Sequence, residues 1–472
     1  MSASLQSKDP ADIVHFLNRA GFGPRPGQIK AVAAKGMDRY LAEQLAPRPD
    51  PGLGDALARF EVLHYTIAQV LDIYHGRTIF GRGMPDVMEQ FQSAKVVRAV
   101  TAESQLQEAL VDFWFNHLNV NLQHQFVRQS ILSYERDAIR PHVLGKFSDL
   151  LRASARHPAM LFYLDNHLSR RNAVVEGKVV RGLNENYGRE LMELHTLGVD
   201  AGYTQEDVIN AARCLTGWTI DDLKSTGRFL FRSADHDSEP KRVFGLDVPG
   251  GGGVEDGEKL LSHLSAHPAT AHFISRKLAI RFVADNPPEA LVTRCAQVFL
   301  ATSGDLREVT RTLFTSPEFW EAKATPKFRT PFEYVVAALR ATSARVESAE
   351  PGLSWHFDRM GMRPYFCAPP TGWSDRGRDW QSVAHVYRIN FALDLANDTV
   401  RGVKVTLPEV IGAAGGDFRD ASSITAFFNR EIFGGALSAG TTAAAKGVEA
   451  GEPATVAKVA GLIMASPEMQ WR

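Results

Sequence analysis

Along most of the chain, apolar residues recur at the three-to-four-residue spacing that is typical of amphipathic helices. The first such segment follows the polar pair Asp9-Pro10, and in it Ile13, Phe16 and Leu17 share one face. The same spacing predicts further helices at 27–45, 56–75, 88–120, 126–144, 147–164, 257–265, 269–284, 288–302 and 305–315. We therefore expect a mainly α-helical protein with a multi-helical globular core.

The pattern changes between residues 229 and 256. Phe229-Leu230-Phe231 and Val243-Phe244 predict two short strands around the polar segment 233–241, which would form one small β-hairpin. A glycine-rich loop at 250–253 follows. This insertion divides the chain into an N-terminal helical region (1–228), the hairpin and loop (229–256), a helical region with a tryptophan-rich irregular loop (257–410) and a Gly/Ala-rich C-terminal segment (411–472). The alternative is that one continuous core extends through all four segments.

Composition and charge narrow the range of partners. The chain has 472 residues, of which 44% are hydrophobic and 23% are charged, and its formal net charge is −1. These values are ordinary for a soluble globular protein, and the near-zero charge argues against nucleic-acid and membrane partners. The first ten residues lack the apolar stretch of a signal peptide, which predicts a cytoplasmic protein as written, or a periplasmic one if a leader was removed. Three cysteines without a CxxC pair predict neither a disulfide framework nor a zinc knuckle.

The segment 184–198, with the sequence NENYGRELMELHTLG, is the strongest indication of a functional site. On a helical wheel Glu190 falls inside an apolar arc, while Asn186 and Glu193 lie on one border of it and His195 lies on the other. A carboxylate that faces a core must be paired, protonated or bound to a ligand, because an unpaired buried charge is costly. We therefore predict Glu190 as a general acid or base, or as a metal ligand.

A structural interpretation of the same helix stays open. Glu185, Arg189 and Glu193 are spaced four residues apart, so Arg189 could pair with both glutamates on an exposed face. On one continuous α-helix, Glu190 and His195 are about 140° apart. A site shared by these two side chains would therefore require the helix to end near residues 196–198.

A second candidate lies in 107–120, where His117 is at the centre of an apolar stripe with Asn116 and Asn119 close by. A histidine in that position is usually a core residue, but the crowding of amides keeps a functional role open. A third candidate is the His236-Asp237 turn with Lys241, a combination that can ligate a metal or relay protons, although a solvated turn explains it as well.

Two Thr-Gly-Trp tripeptides place Trp218 and Trp373 after flexible glycines. Such tryptophans can stack on sugar rings, although packing against a loop is the commoner role. The chain lacks a GxSxG elbow, a P-loop and a GxGxxG turn after a strand, so no nucleotide cofactor and no serine-hydrolase chemistry are predicted.

Several of these motifs occur together with others in the chain, namely His15-Phe16-Leu17-Asn18-Arg19-Ala20-Gly21-Phe22-Gly23, Phe113–Val120, Arg140-Pro141-His142, His157-Pro158-Ala159-Met160-Leu161, Asn184–Gly198, Leu215–Trp218, His236-Asp237, His267-Pro268-Ala269-Thr270-Ala271 and Pro370–Trp373. Together they resemble the bacterial domain-of-unknown-function 1800 family over nearly the whole chain. The resemblance implies a mainly helical fold and, for many members, export. It implies no activity, since none is established for the family.

From the residues we predict an enzyme, with hydrolytic or lytic cleavage of a polar, carbohydrate-like small-molecule or glycan substrate. The predicted catalytic set is Glu190, Glu193, Asn186, His195 and His117, and the predicted substrate-binding set is Trp218, Trp373, Arg189 and Lys241. A divalent metal held by His117, Glu190, His236 and Asp237 is a variant of this hypothesis. The alternative is a non-catalytic helical scaffold with a protein partner, in which the polar helix is a buried structural network.

Overall fold

The computed structural model describes residues 3–74, 76, 83–124, 126–175, 178–180, 182–221, 226–382, 384–449 and 455–472. The α-helices before the predicted insertion are α1 Pro10–Ala20, α2 Gln28–Lys35, α3 Met37–Leu45, α4 Pro51–Leu57, α5 Ile67–Tyr74, α6 Met84–Thr101, α7 Gln105–His117, α8 Ile131–Ser133, α9 Phe147–Ala155, α10 Pro158–Tyr163, α11 Asn186–Glu190 and α12 Gln205–Leu215. Two π-helices, Tyr134–Ile139 and Leu191–Thr196, directly follow α8 and α11.

The remaining α-helices are α13 Val254–Ala266, α14 Pro268–Phe282, α15 Glu289–Ala301, α16 Leu306–Thr315, α17 Pro317–Glu321, α18 Pro331–Ala341, α19 Gly352–Met360, α20 His385–Ala396, α21 Leu407–Ala413, α22 Ala421–Glu431, α23 Ala439–Lys446, α24 Thr455–Ala465 and α25 Pro467–Gln470. Short 3₁₀ turns occur at Ala3–Gln6, Glu61–His64, Val127–Gln129, Arg140–His142, Asn166–Leu168, Ser233–Asp235, Ala322–Ala324 and Gly377–Trp380. The predicted mainly α-helical fold is confirmed. Among the described helices, none is long and apolar enough to cross a membrane.

Several predicted long helices are broken into shorter ones. The predicted helix at 27–45 is α2 and α3, because Gly36 separates them with a left-handed φ of 89°. The predicted helix at 147–164 is α9 and α10, and its break lies at His157-Pro158, where proline cannot continue the helix. The predicted helix at 56–75 is the end of α4, the 3₁₀ turn Glu61–His64 and α5, and residue 75 lies outside the described part of the chain.

The β structure forms four two-stranded antiparallel sheets within the described residues, instead of the single hairpin expected. The strands pair in chain order, as β1 Ala173–Val175 with β2 Lys178–Val180, β3 Trp218–Ile220 with β4 Phe229–Phe231, β5 Lys241–Val243 with β6 Leu246–Val248, and β7 Arg345–Val346 with β8 Val403–Lys404.

The predicted pairing of Phe229–Phe231 with Val243-Phe244 is wrong, because β4 and β5 belong to different sheets. Phe244 and Gly245 both have positive φ, 44° and 86°, and form the two-residue turn between β5 and β6. That backbone geometry suits a tight hairpin, so β5 pairs with the strand that directly follows it.

One cluster of buried hydrophobic side chains extends from Leu5 to Met469 and has members in all four predicted segments. The N-terminal α1 packs on α16 and α17, where Phe16 contacts the Phe314 ring and His15 Nε2 donates to the carbonyl oxygen of Phe319 at 2.9 Å. The domain boundaries that the sequence predicted stay a prediction.

A buried ionic network joins the helices inside this core. Arg281 on α14 pairs with Asp112 on α7 at 3.0 Å and with Glu333 on α18 at 3.1 Å. Arg472 also pairs with Glu333, at 2.8 Å, and Lys95 on α6 pairs with Asp112 at 3.0 Å. These ion pairs fix α7 against α14, the two helices that flank the candidate site.

Candidate functional site

The acidic segment is an α-helix that changes to a π-helix at Leu191. In the wider turn, Leu197 N–H donates to the carbonyl oxygen of Met192 at 2.9 Å, and the Thr196 hydroxyl donates to that of Leu191 at 2.6 Å. Short π-helical turns inside helices occur frequently at functional sites. The angle of 140° that a continuous α-helix predicts between Glu190 and His195 therefore does not apply here.

Glu190 and Glu193 are half-buried, and within the described part of the chain neither carboxylate has a hydrogen bond or an ion pair. Burial raises the pKa of Glu190, and the nearby Glu193 carboxylate raises it further, against a smaller opposing effect of Arg189. A carboxyl group in such surroundings keeps a proton at higher pH than an exposed one, and this property suits a general acid.

Arg189 is held on the outer face of the same helix. Its guanidinium pairs with Glu185 at 3.3 Å and donates to the side chain of Gln205 at 3.2 Å, and Gln205 donates in turn to Glu185 at 2.7 Å. The predicted ion pair between Arg189 and Glu185 on an exposed face is therefore confirmed. The described ion pairs of Arg189 do not include Glu193.

Asn186 connects this helix to the end of α10. Its side-chain amide donates to the carbonyl oxygen of Leu164 at 3.3 Å. The neighbouring Tyr163 was missed by sequence reasoning, since a tyrosine at a helix end carries no distinctive pattern. Tyr163 is half-buried and donates to the carbonyl oxygen of Ala368 at 2.5 Å. Its pKa is raised by burial first, and then by Cys367 and Glu190, so Tyr163 lies between the acidic helix and the irregular loop.

His117 and His195 lie together in the core, 2% and 1% exposed. The Nε2–H of His117 donates to the backbone carbonyl oxygen of His195 at 3.2 Å, and the ring centroids are 6.4 Å apart. Burial lowers the pKa of His195 to about 3, and burial also lowers that of His117; Lys277 adds to both effects. Both rings are therefore neutral at physiological pH, and they can orient or solvate a neighbouring group through hydrogen bonds.

The irregular loop 362–380 is fastened to the end of α7 by the two asparagines beside His117. Asn116 donates to the carbonyl oxygen of Trp373 at 2.8 Å and accepts from its N–H at 2.7 Å. Asn119 donates to the carbonyl oxygens of Cys367 and Pro369 at 3.0 and 2.9 Å. The amides that crowd His117 thus position the loop that carries Trp373.

Trp373 is half-exposed and lines a cleft of about 390 Å³ together with Lys277 and Asp375. Lys277 was also missed from the sequence, because it occupies an ordinary position of α14. Its ammonium group lies 6.0 Å from the centroid of the Phe273 ring, and no ion pair is found for it among the described residues. Burial lowers the pKa of Lys277, and Asp375 partly offsets that effect.

Trp218 and Lys241 are placed differently from their prediction as substrate-binding residues. Trp218 is 0% exposed, and α13 packs so closely that a Cβ atom on Gly257 would lie 2.4 Å from the indole ring. The Lys241 and Asp256 side chains are also 0% exposed and pair at 2.7 Å. The structure therefore leaves neither Trp218 nor Lys241 exposed to a ligand, and their roles in substrate binding stay predictions.

His236 and Asp237 belong to that same buried cluster. The two ring nitrogens of His236 contact the Thr216 carbonyl oxygen at 2.8 Å and the Asp256 carboxylate at 3.2 Å, while Asp237 pairs with Arg213 at 2.8 Å. Among the described residues there is no group of three or more His, Cys, Asp or Glu side chains that could hold a metal ion. The predicted ligand set of His117, Glu190, His236 and Asp237 is therefore not assembled.

Comparison with known proteins gives one match. The model of the family described as "Protein of unknown function (DUF1800)" matches residues 15–471, which is nearly the whole chain. No curated protein and no solved structure matches. On the extent of that single match, the protein belongs to the DUF1800 family.

Proposed function

We propose that the protein is a hydrolase or lyase that uses Glu190 as the general acid or base on a polar, carbohydrate-like substrate. The observation that carries this proposal is the state of the Glu190 carboxyl group. It is half-buried, its pKa is raised by burial and by Glu193, and the described residues offer it no hydrogen bond or ion pair. A carboxyl group kept only for structure would be expected to have such a partner.

The surroundings of Glu190 support a substrate rich in hydroxyl groups. Burial raises the pKa values of the half-buried Tyr163 and Tyr203, and the Glu190 carboxylate adds to the rise at both phenol groups. Carboxylates with adjacent aromatic rings can bind hydroxyl groups and sugar faces at the same time. Trp373, which is half-exposed, belongs to the loop whose Ala368 carbonyl oxygen accepts a hydrogen bond from Tyr163.

The proposal divides the roles between two carboxylates. Glu190 donates a proton to the leaving oxygen, and Glu193 accepts one or stabilises positive charge that develops on the sugar ring. Separating the pKa values of two neighbouring carboxyl groups is the usual way in which one acts as an acid and the other as a base at the same pH. His117 and His195, buried and neutral, orient the helix instead of transferring protons.

The scaffold alternative expects the polar helix to be an internal network of ion pairs. Arg189, Glu185 and Gln205 do form such a network, but on the outer face of the helix. Glu190 and Glu193 take no part in it, and we therefore favour the enzyme.

The test replaces Glu190 with Gln and uses Glu185→Gln as the matched control on the same helix. Release of reducing ends is measured on a set of neutral and acidic oligosaccharides, together with thermal unfolding of each variant. We expect Glu190→Gln to leave the melting temperature nearly unchanged and to lower turnover by at least about 100-fold, the usual contribution of general acid–base catalysis. Glu185→Gln should stay close to the native rate.

Two results would refute parts of this proposal. A native protein that cleaves none of the oligosaccharides would rule out the carbohydrate substrate class. A Glu190→Gln variant as active as the native protein would remove Glu190 from the catalytic role, whatever its stability.

A further inference from the structure

The cleft beside Trp373 contains an amine and a carboxyl group that the proposed function does not use. Lys277 on α14 and Asp375 on the irregular loop both line this cleft, and its volume of about 390 Å³ is in the range of small-molecule sites. The side chain of Lys277 is half-buried, and that of Asp375 is 10% exposed. Both functional groups therefore border a space that has room for a small ligand.

Lys277 and Asp375 interact across this cleft without forming an ion pair. Within the described residues no hydrogen bond or ion pair is found for the Lys277 ammonium group, and the described ion pair of Asp375 is with Arg281 at 3.6 Å. A structural ion pair between Lys277 and Asp375 would bring their nitrogen and oxygen atoms within about 4 Å. The described contacts therefore do not occupy the Lys277 nitrogen.

The surroundings of Lys277 favour the neutral amine. Its nitrogen lies 6.0 Å from the centroid of the Phe273 ring. The titratable groups that interact with it are Asp375 and the neutral rings of His117 and His195. Burial lowers the pKa of Lys277, and Asp375 partly offsets this effect. A lysine in such surroundings carries more of the unprotonated form, which is the nucleophile.

The pKa of Asp375 is shifted in the opposite direction. Burial raises it, although the Arg281 guanidinium and the Lys277 ammonium group oppose that effect. The Asp375 carboxyl group therefore keeps a proton to a higher pH than an exposed aspartate does. The cleft thus combines an amine that favours its neutral form with an acid that favours its protonated form. Imine formation from a carbonyl compound needs this combination of nucleophile and proton donor.

We propose that Lys277 forms an imine with a small aldehyde that carries hydroxyl groups, and that Asp375 is the acid that removes the carbonyl oxygen as water. This reaction takes place in the cleft beside Trp373 and does not depend on the role proposed for Glu190.

The rest of the cleft wall selects this class of aldehyde. Thr371 and Ser374 bring hydroxyl groups to the cleft, next to the indole ring of Trp373. The Ser374 hydroxyl donates to the Asp379 carboxylate at 2.6 Å, so its oxygen is oriented to accept a hydrogen bond from a ligand. An aromatic face beside hydroxyl and carboxylate groups suits a short carbon chain with hydroxyl substituents.

The proposed reaction is balanced without an oxidant or a reductant. The Lys277 nitrogen forms a bond to the carbonyl carbon, and the carbonyl oxygen takes a proton from the Asp375 carboxyl group. The nitrogen then returns a proton to Asp375, and a neutral carbinolamine remains. Asp375 next protonates the hydroxyl group, which leaves as water while the C=N bond forms. One amine and one aldehyde thus give one protonated imine and one water, and Asp375 is left as the carboxylate.

The test incubates the native protein at pH 7 with glyceraldehyde and sodium cyanoborohydride, which reduces imines to stable amines, and locates the adducts by peptide mass spectrometry. Lys259, an exposed lysine on α13, is the internal reference. We expect the initial rate of adduct formation at Lys277 to exceed that at Lys259 at least about tenfold, because a positioned acid commonly accelerates a reaction by about 100-fold or more.

Propanal is the matched probe, since it has the same three-carbon chain without hydroxyl groups. The preference for Lys277 over Lys259 should be at least about threefold larger with glyceraldehyde than with propanal, because only glyceraldehyde can form hydrogen bonds through hydroxyl groups. Both comparisons use the native protein and therefore do not depend on the stability of a variant.

Asp375→Asn tests the acid, and Asp55→Asn, which removes an exposed carboxylate from α4, is the control. The asparagine side chain cannot supply an acidic proton, so the rate at Lys277 should fall at least about tenfold while the rate at Lys259 stays unchanged. Loss of the carboxylate also removes an interaction that raises the pKa of Lys277. A purely electrostatic role of Asp375 therefore predicts a faster reaction in this variant. The melting temperature of each variant shows that it is folded.

Three results would overturn parts of this proposal. The imine is refuted if Lys277 acquires no adduct, or if it reacts no faster than Lys259. Equal selectivity with propanal refutes the hydroxylated class of ligand. A folded Asp375→Asn variant that reacts at Lys277 as fast as the native protein, or faster, removes Asp375 from the role of the acid.

Discussion

At the scale of single residues, burial decides which polar side chains are available for chemistry. Glu190 and Lys241 are both charged residues in sequence contexts that predict a site. In the folded chain, Glu190 is half-buried and has no partner among the described residues, whereas Lys241 is fully buried against Asp256. A buried ion pair is difficult to break, because the partner that remains keeps its charge in a medium that solvates it poorly.

The full burial of the Lys241–Asp256 pair leads to a prediction about the stability of variants on β5. Lys241→Met removes one partner of a fully buried ion pair and leaves the Asp256 carboxylate against His236 alone, so we expect a loss of about 3–5 kcal/mol of unfolding free energy. Arg242→Met on the same strand is the matched control, since Arg242 and Asp247 pair on the exposed face and such pairs contribute about 0–1 kcal/mol. Urea unfolding of both variants measures the difference. Equal losses would mean that Lys241 is not the buried cation that the structure places there.

At the scale of elements, the acidic helix with its π-helical end and the irregular loop carry the features on which the proposed function rests. The loop is held by Asn116, in the last turn of α7, and by Asn119, two residues after the end of that helix. Its closest approach is at Gly372, where φ is 73° and a Cβ atom would lie 2.2 Å from the carbonyl oxygen of Asn116. Only glycine accepts both that backbone conformation and that contact.

We therefore predict that Gly372→Ala destabilises the protein more than a left-handed conformation alone would. Gly361→Ala is the matched control, because its φ is 80° and the position of its Cβ atom is free. The left-handed conformation alone costs about 1–2 kcal/mol for a residue with a Cβ atom, so the control gives that reference value. Thermal unfolding compares the two variants. A Gly372→Ala variant as stable as the control would show that the loop can move away from α7 without cost.

At the scale of the whole molecule, one core encloses many ionisable groups, and their burial makes stability depend on pH. His15 and His195 are buried in different parts of that core, and His157 is half-buried at the start of α10. Burial lowers the pKa of each to about 3, from an ordinary value of 6.5. Burial lowers the pKa of His117 in the same direction. In the folded state, these four histidines therefore stay neutral at pH values where an exposed histidine would bind a proton.

The sign of the pH effect follows from the direction of these shifts. Above pH 6.5 the histidines are neutral in both states, and stability is unaffected. Below pH 6.5 the unfolded chain binds protons that the folded chain does not, so stability falls as the pH is lowered toward 3. Three such groups reduce the free energy of unfolding by about 4 kcal/mol per pH unit well below pH 6.5.

Urea unfolding at pH 7.5, 6.5, 5.5 and 4.5 measures this slope directly. A control variant, His272→Gln, removes a half-exposed histidine that pairs with Glu289 and should leave the slope nearly unchanged. A stability that stays constant from pH 6.5 to 4.5 would contradict the burial of these three rings.

The sequence by itself determined the helical class, the helix starts near Asp9-Pro10 and near residue 305, and the irregular loop, because each depends on local periodicity or on the chemistry of neighbouring residues. Only the tertiary structure decided which polar residues are accessible. Exposure depends on contacts between distant segments, as when α13 covers Trp218 or Asp256 pairs with Lys241. The contact of Tyr163 with the irregular loop, the position of Lys277 in the cleft beside Trp373 and the pairing of β5 with β6 also come from packing, which no local pattern encodes.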